Sequence, residues 1–263
     1  MSADFDVIVI GSGFGGSVSA LRLAEKGYRV AVLEQGRDLT SADLQRAGSS
    51  VRHLLWAPAL GMRGPLAQKV FANVGVVHGV GVGGGSLVYA AVLLEPKASF
   101  YQAPAWRDLH SDWQRELAPH YQRARQMLGA SVNPYVGLQD DWLQQTAAQL
   151  GRADSYGPVT QGIYFGAPDV AVDPFFAGKG PLRQGCSRCG NCISGCAQGA
   201  KNSLDKNYLH LARQLGVQVI SEARVSHLSR KAENYQVHLQ RRGTGAVVLR
   251  APQVILAAGV LGT

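Results

Sequence analysis

Apolar residues fall along this chain in short unbroken runs, separated by glycines and by stretches of helical period. That pattern predicts an α/β fold with a largely parallel sheet. Asp6 to Ile10 is apolar and β-branched without alternation, as a strand buried on both faces requires. Ala20, Leu21, Leu23 and Ala24 then put a small, apolar face at helical spacing, and Gly27 supplies a stop. Tyr28 to Leu33 returns to the strand pattern. Thr40 or Ser41 is placed to cap a short helix through Gln45, whereas residues 48 to 76, broken by Pro58 and Pro65, keep no period and are expected to be irregular. Trp113 to Leu128 has helical spacing, with Leu117, Tyr121, Ala124, Arg125 and Leu128 on neighbouring turns, and Asp141 to Leu150 predicts another helix. Aromatics in this region, including Trp106, Trp113 and Trp142, are expected to serve the core. Pro158, Pro168, Pro174 and Pro181 break any longer element. After residue 200 a helix with Leu204, Tyr208, Leu211, Ala212 and Leu215 inward is expected to end at Gly216. Strands at Val217 to Ile220, Arg224 to Leu228, Tyr235 to Leu239 and Val247 to Leu249 follow, the later ones as a β-meander, and QVIL closes the series.

The first junction carries chemistry. Gly11, Gly13 and Gly16 stand directly between a buried strand and a helix. The first permits a tight turn, the second lets backbone approach a pyrophosphate, and the third lets helix and strand pack closely. Phosphates would meet the free amides of the helix N-terminus. Glu34 ends the second strand 23 residues after Gly11 and is placed to accept ribose hydroxyls, which disfavours a 2′-phosphate. Strand, glycine turn, helix, strand and acid together predict a Rossmann-like dinucleotide site.

A second cluster, HGVGVGGGSLVYAAVLLEP, has glycines at 79, 81, 83, 84 and 85 ahead of Ser86. So much bare backbone points to something large and flat passing close by. With GSGFGGSVSALRLAEKG and the strand end EQGR, it resembles the glucose-methanol-choline oxidoreductases, most closely their cholesterol-oxidase-like bacterial branch. The resemblance spans the chain apart from roughly residues 97 to 180 and covers the N-terminal portion of the family. It implies that Gly11, Ser12, Gly13, Phe14, Gly15 and Gly16, with Glu34, Gly36 and Arg37, hold the ADP half of FAD. Gly84, Gly85 and Ser86 would line the pyrophosphate and ring edge, and Val88 and Tyr89 would sit beside the isoalloxazine. Val225 would touch adenine, and Ala258 and Gly259 would lie near the pyrophosphate. Val88 and Tyr89 stand where some relatives tether the flavin through histidine, so no tether is expected, and His78 is a poor substitute.

The resemblance also implies an FAD-dependent oxidoreductase acting on a CH–OH group of a small-molecule alcohol, such as a sterol, by hydride transfer to flavin. Two alternatives are an NAD-dependent dehydrogenase and a non-catalytic FAD-binding fragment. The family's catalytic residues lie in its C-terminal part, and this sequence stops where a helix is due, so no catalytic acid or base is assigned. The expected organisation is a first FAD-binding part over residues 1 to 96, a substrate-domain insertion over 97 to 185, and a second FAD-binding part over 186 to 263.

All four cysteines fall in CSRCGNCISGC, at Cys186, Cys189, Cys192 and Cys196. Their spacing matches the bacterial ferredoxin run, except that Ala197 replaces its proline. An iron-sulfur cluster serving as an electron outlet, a zinc site or disulfides, and plain reduced thiols all remain open readings. Such crowding does not suit a scattered disulfide framework, and with no secretory signal or apolar run long enough to span a membrane it predicts a cytoplasmic setting. The net charge of +8 raises nucleic acid as a partner, but the arginines are scattered and no recognition motif accompanies them, so none is expected. The electron acceptor, oxygen or a redox partner, is not specified by these residues.

Overall fold

The computed structural model describes residues 3–263. The chain runs β1 (Val7–Ile10), α1 (Phe14–Ala24), β2 (Val30–Leu33) and α2 (Ser41–Ser49), then β3 (Leu66–Val70) and β4 (Gly75–Gly79). Next come α3 (Trp113–Met127), α4 (Leu138–Gln149) and α5 (Tyr208–Gln214). The last strands are β5 (Gln218–Ile220), β6 (Ala223–Lys231), β7 (Asn234–Arg241), β8 (Gly245–Ala251) and β9 (Gln253–Leu256).

Four parallel strands make the central sheet in the order β9-β1-β2-β5. Alternation sorts their side chains cleanly. Val7, Val9, Val30 and Val32 face α1 and α5 and pack on Ala20, Leu21, Ala24, Leu209 and Ala212. Ile8, Ile10, Ala31 and Leu33 face the antiparallel meander β6-β7-β8 and pack on Ala223, Val237, Leu239 and Ala251. Both faces are therefore covered, which is why these strands read as continuous apolar runs.

Register decides where a ligand can approach. Ile10 pairs with Leu33 and with Leu256, and Leu33 pairs with Ile220, so all four strands end abreast. The residues that follow, Gly11, Glu34 and Ala257, therefore emerge together at the carboxyl edge, where parallel sheets place their ligands.

Several expectations change. Residues 48 to 76 are not irregular throughout, because Leu66–Val70 forms an antiparallel hairpin with Gly75–Gly79 that leads into the second glycine cluster. Of the stripe on α3, Leu117, Tyr121 and Ala124 are half-buried and Arg125 is exposed, while Leu128, just past the helix end, is buried and Met127 is the helix's one buried residue. Helix α4 begins at Leu138 and buries none of its residues, and Trp142 is 58% exposed rather than part of a core. The helix expected after residue 200 is broken at Asn207 into a 3-10 turn, Leu204–Lys206, and α5. The break rotates the inward face, so Leu209 is buried and Leu215 is not. Among the described residues no helix is long and apolar enough to cross a membrane.

Helix α2 runs past Gln45 because its start is well capped. Thr40 Oγ1 accepts from the Asp43 amide, and Asp43 accepts in return from the Thr40 amide at 3.0 Å. Arg37 and Arg46 donate to the same carboxylate at 3.0 and 2.7 Å. Burial pushes the Asp43 carboxyl up, but hydrogen bonds from Thr40, Arg46 and Arg37 outweigh it and hold the group well below the usual carboxylate range. A depressed carboxyl stabilises the fold above its unfolded pKa and loses that contribution as pH falls through the folded value. Asp43→Asn is accordingly expected to cost roughly 1 kcal/mol at neutral pH, and the gap from the native chain should shrink in urea titrations repeated at acid pH.

Candidate functional site

Three segments far apart in sequence meet at the carboxyl edge of the sheet, and they meet through backbone. A Cβ on Gly11 would strike the carbonyl of Ala257, and one on Gly16 would strike the carbonyl of Gly11. A Cβ on Gly84 would lie 2.8 Å from Gly13 Cα, so the two glycine clusters touch main chain to main chain. Gly36 is equally constrained, facing the backbone of Gly81. The Ala257 amide donates to Ile10 O at 2.8 Å, which fixes the closing strand's exit toward Ala258 and Gly259 beside the first turn.

Other glycines are bare for a different reason. A Cβ on Gly13, Gly85 or Gly259 would meet no atom within 4 Å. These positions border open space next to the crowded ones, which is the shape of a cradle rather than of a packed turn. Helix α1 starts there with Gly13 as its N-cap, without a capping side chain and without an acid in its first turn. Its free amides and the positive end of its dipole therefore face that space unneutralised, as an anionic group requires.

Glu34 sits where the sequence places it, buried at 6% exposure at the end of β2. Its Oε1 accepts from the Gly36 amide at 2.9 Å. Its Oε2 accepts from the Ser12 amide at 3.2 Å and from the Ser12 hydroxyl at 2.6 Å. A carboxylate has about four acceptor positions, so capacity remains for a ribose hydroxyl.

Ser12 has a part that the motif does not disclose. Its side chain is fully buried, and its Oγ also accepts from the Gly83 amide at 3.1 Å, binding the ribose-side acid to the second glycine cluster. Ser86 is likewise turned into the protein, donating to Gly83 O at 2.7 Å and accepting from the Leu204 amide at 2.9 Å. Arg37 reaches Asp43 through its side chain, and its carbonyl accepts from the Val82 amide at 2.9 Å. Val225 lies on β6, packed against the meander side of the sheet.

Phe14 and Tyr89, which follow Gly13 and the second glycine cluster in sequence, stand edge to face with ring centroids 6.1 Å apart. The Tyr89 hydroxyl donates to Asn202 O at 3.0 Å, and burial pushes its pKa far up, so it stays neutral. Lys201, which no periodicity singled out, is buried behind it. Its Nζ donates to Leu87 O at 2.7 Å, Tyr89 O at 3.1 Å and Cys192 O at 2.5 Å, joining the end of the glycine loop to the cysteine loop. Burial pulls its pKa down to about 8, which the thiols of Cys192 and Cys196 partly oppose.

The four cysteines are all free and line one cavity of about 20 Å3 together with Ile163, Ala200 and Lys201. That volume holds about one water molecule, not a multinuclear cluster. Among the described residues no group of three or more His, Cys, Asp or Glu side chains is placed to hold a metal ion. The iron-sulfur reading of Cys186, Cys189, Cys192 and Cys196 thus finds no support in the geometry.

Comparison with known proteins agrees with the cradle. The family model described as FAD dependent oxidoreductase matches residues 6–262. A cholesterol oxidase of Mycobacterium tuberculosis is 43% identical over 100% of this chain and 47% of its own length. A GMC-type oxidoreductase of the same species is 29% identical over 98% of this chain and 38% of its own length. The crystal structure of pyridoxine 4-oxidase from Mesorbium loti superposes with a TM-score of 0.58 at 19% identity, covering 97% of this chain and 50% of that one. The chain thus spans less than half the length of these two curated relatives.

Proposed function

The chain belongs to the FAD dependent oxidoreductases, and from that premise we propose that it forms the cofactor cradle of an enzyme that oxidises a hydrophobic alcohol, with a sterol as the leading substrate class. The observation that carries the cradle is the meeting of Gly11, Glu34, Gly84 and Ala257 at one sheet edge, with Gly13, Gly85 and Gly259 left open beside it. The likeness to a cholesterol oxidase supports the substrate class.

Each group in the cradle has a physical task. The uncapped amides of α1, with the bare backbone at Gly13 and Gly259, receive the pyrophosphate. Glu34, held rigid by Ser12 and Gly36, accepts from the adenosine ribose. Gly84 and Gly85 let the flavin half lie against backbone, and the paired rings of Phe14 and Tyr89 provide aromatic surface for it. FAD, when bound, supplies the hydride acceptor for a CH–OH carbon. The group that takes the hydroxyl proton is not assigned to any residue of this chain.

Anaerobic addition of cholesterol to the flavin-loaded enzyme, extended to the full length of its relatives, tests the substrate class. Bleaching of the yellow flavin absorbance by cholesterol, and not by short polar alcohols, is the expected result. Bleaching by NADH alone would instead point to nicotinamide-linked chemistry.

A further inference from the structure

We propose that Cys186 and Cys189 form a reversible disulfide, making the cysteine cavity a thiol-oxidation site. Four reduced thiols within eleven residues face one cavity too small for a cluster, and the ferredoxin-like spacing therefore needs another account.

The loop supplies an entry thiol and a resolving thiol. Cys189 is exposed, whereas Cys186, Cys192 and Cys196 are half-buried. Cys186 is anchored, its amide donating to Tyr164 O at 2.9 Å, and its sulfur accepts from the Arg188 amide at 3.4 Å. Arg188 and Gly190 both take positive φ, 60° and 76°, so the chain turns on either side of Cys189, three residues from the Cys186 sulfur. Burial pushes the Cys192 thiol up, which keeps it protonated and a poor nucleophile. Cys186 is therefore the partner that both the turn and the chemistry favour. The inference does not depend on the alcohol substrate.

Hydrogen peroxide is the oxidant. The Cys189 thiolate attacks one peroxide oxygen, the O–O bond breaks, and the departing hydroxide leaves as water with the thiol's proton. The sulfenic acid so formed is attacked by the Cys186 sulfur, the S–O bond breaks, and a second water leaves with the second thiol proton. Two thiols are oxidised to one disulfide while peroxide is reduced to two waters.

The experiment counts thiols and maps them. Purified protein, flavin-free and flavin-loaded in parallel, is treated with stoichiometric peroxide, alkylated and digested with trypsin. Cleavage after Arg188 separates Cys186 from the peptide Cys189 to Lys201, which carries the other three cysteines, so fragmentation of the linked pair, with Cys192 and Cys196 alkylated, assigns the partner by mass spectrometry. The expected result is loss of two of the four thiols, full recovery with dithiothreitol, the Cys186–Cys189 linked pair, and abolition by Cys189→Ser but not by Cys196→Ser. Four thiols surviving peroxide, irreversible loss, or pairing elsewhere would overturn the proposal. Because thiols are read without flavin, failure here is distinguishable from failure of the cofactor cradle.

Discussion

Gly85→Ala is expected to leave the flavin-free protein as stable as the native chain yet weaken FAD binding about tenfold or more, a loss of roughly 1.4 kcal/mol. The added methyl meets no protein atom within 4 Å, and Gly85 is not among the glycines with positive φ, so the fold has no reason to resist it. Its cost arises only when something else occupies that space. Gly84→Ala, one residue earlier, should behave oppositely. Gly84 has a φ of 53°, and its Cβ would lie 2.8 Å from Gly13 Cα, so the two glycine clusters must separate. Left-handed strain alone costs on the order of 1–3 kcal/mol, and loss of the backbone contact adds to it. Urea unfolding of the flavin-free proteins and fluorescence titration with FAD separate the two effects. Equal FAD affinity for Gly85→Ala and the native chain would remove the flavin from that position.

Glu34→Ala should have the largest effect of any side-chain substitution at the cradle. It leaves the Ser12 amide and the Gly36 amide without their acceptor, while the Ser12 hydroxyl keeps Gly81 O at 3.2 Å, and each unsatisfied buried group costs roughly 1–3 kcal/mol. It also removes the acceptor for the ribose, so FAD retention should fall by about a hundredfold, or roughly 2.7 kcal/mol. Glu34→Gln keeps the shape and one carbonyl oxygen but turns its NH2 group toward either the Gly36 amide or the Ser12 amide, so it is expected to recover only part of the stability while weakening FAD by about tenfold. Dissociation constants set beside unfolding midpoints check both variants. Unchanged FAD affinity in Glu34→Gln would show that the charge of this carboxylate has no part in holding the ribose.

What could be read from the sequence was what local chemistry encodes. The unbroken apolar runs at Val7–Ile10 and Val30–Leu33 are legible because both faces of the sheet are covered, and the glycine spacing is legible because backbone approach excludes Cβ. The FAD family and the cholesterol-oxidase likeness followed from those same residues. Pairings across long stretches of chain were not legible. Nothing in a serine at position 12 tells that its hydroxyl will join Glu34 to Gly83, or in Lys201 that its ammonium will bridge three carbonyls from two loops. The hairpin at Leu66–Val70 was hidden because its strand residues are mostly exposed and carry no apolar alternation. Helix α4 showed the reverse error, since its apolar residues suggested burial that the fold does not provide. The cysteine spacing pointed to a metal, but spacing fixes ligand order and not the room between sulfurs.

The most direct measurement of the central claim is calorimetric titration of the purified chain with FAD, alongside NAD and NADP. Binding of one FAD per chain, with much weaker or no binding of the nicotinamide dinucleotides, is the result expected of this cradle. A folded chain that ignores FAD, or that prefers NADP despite Glu34, would contradict it.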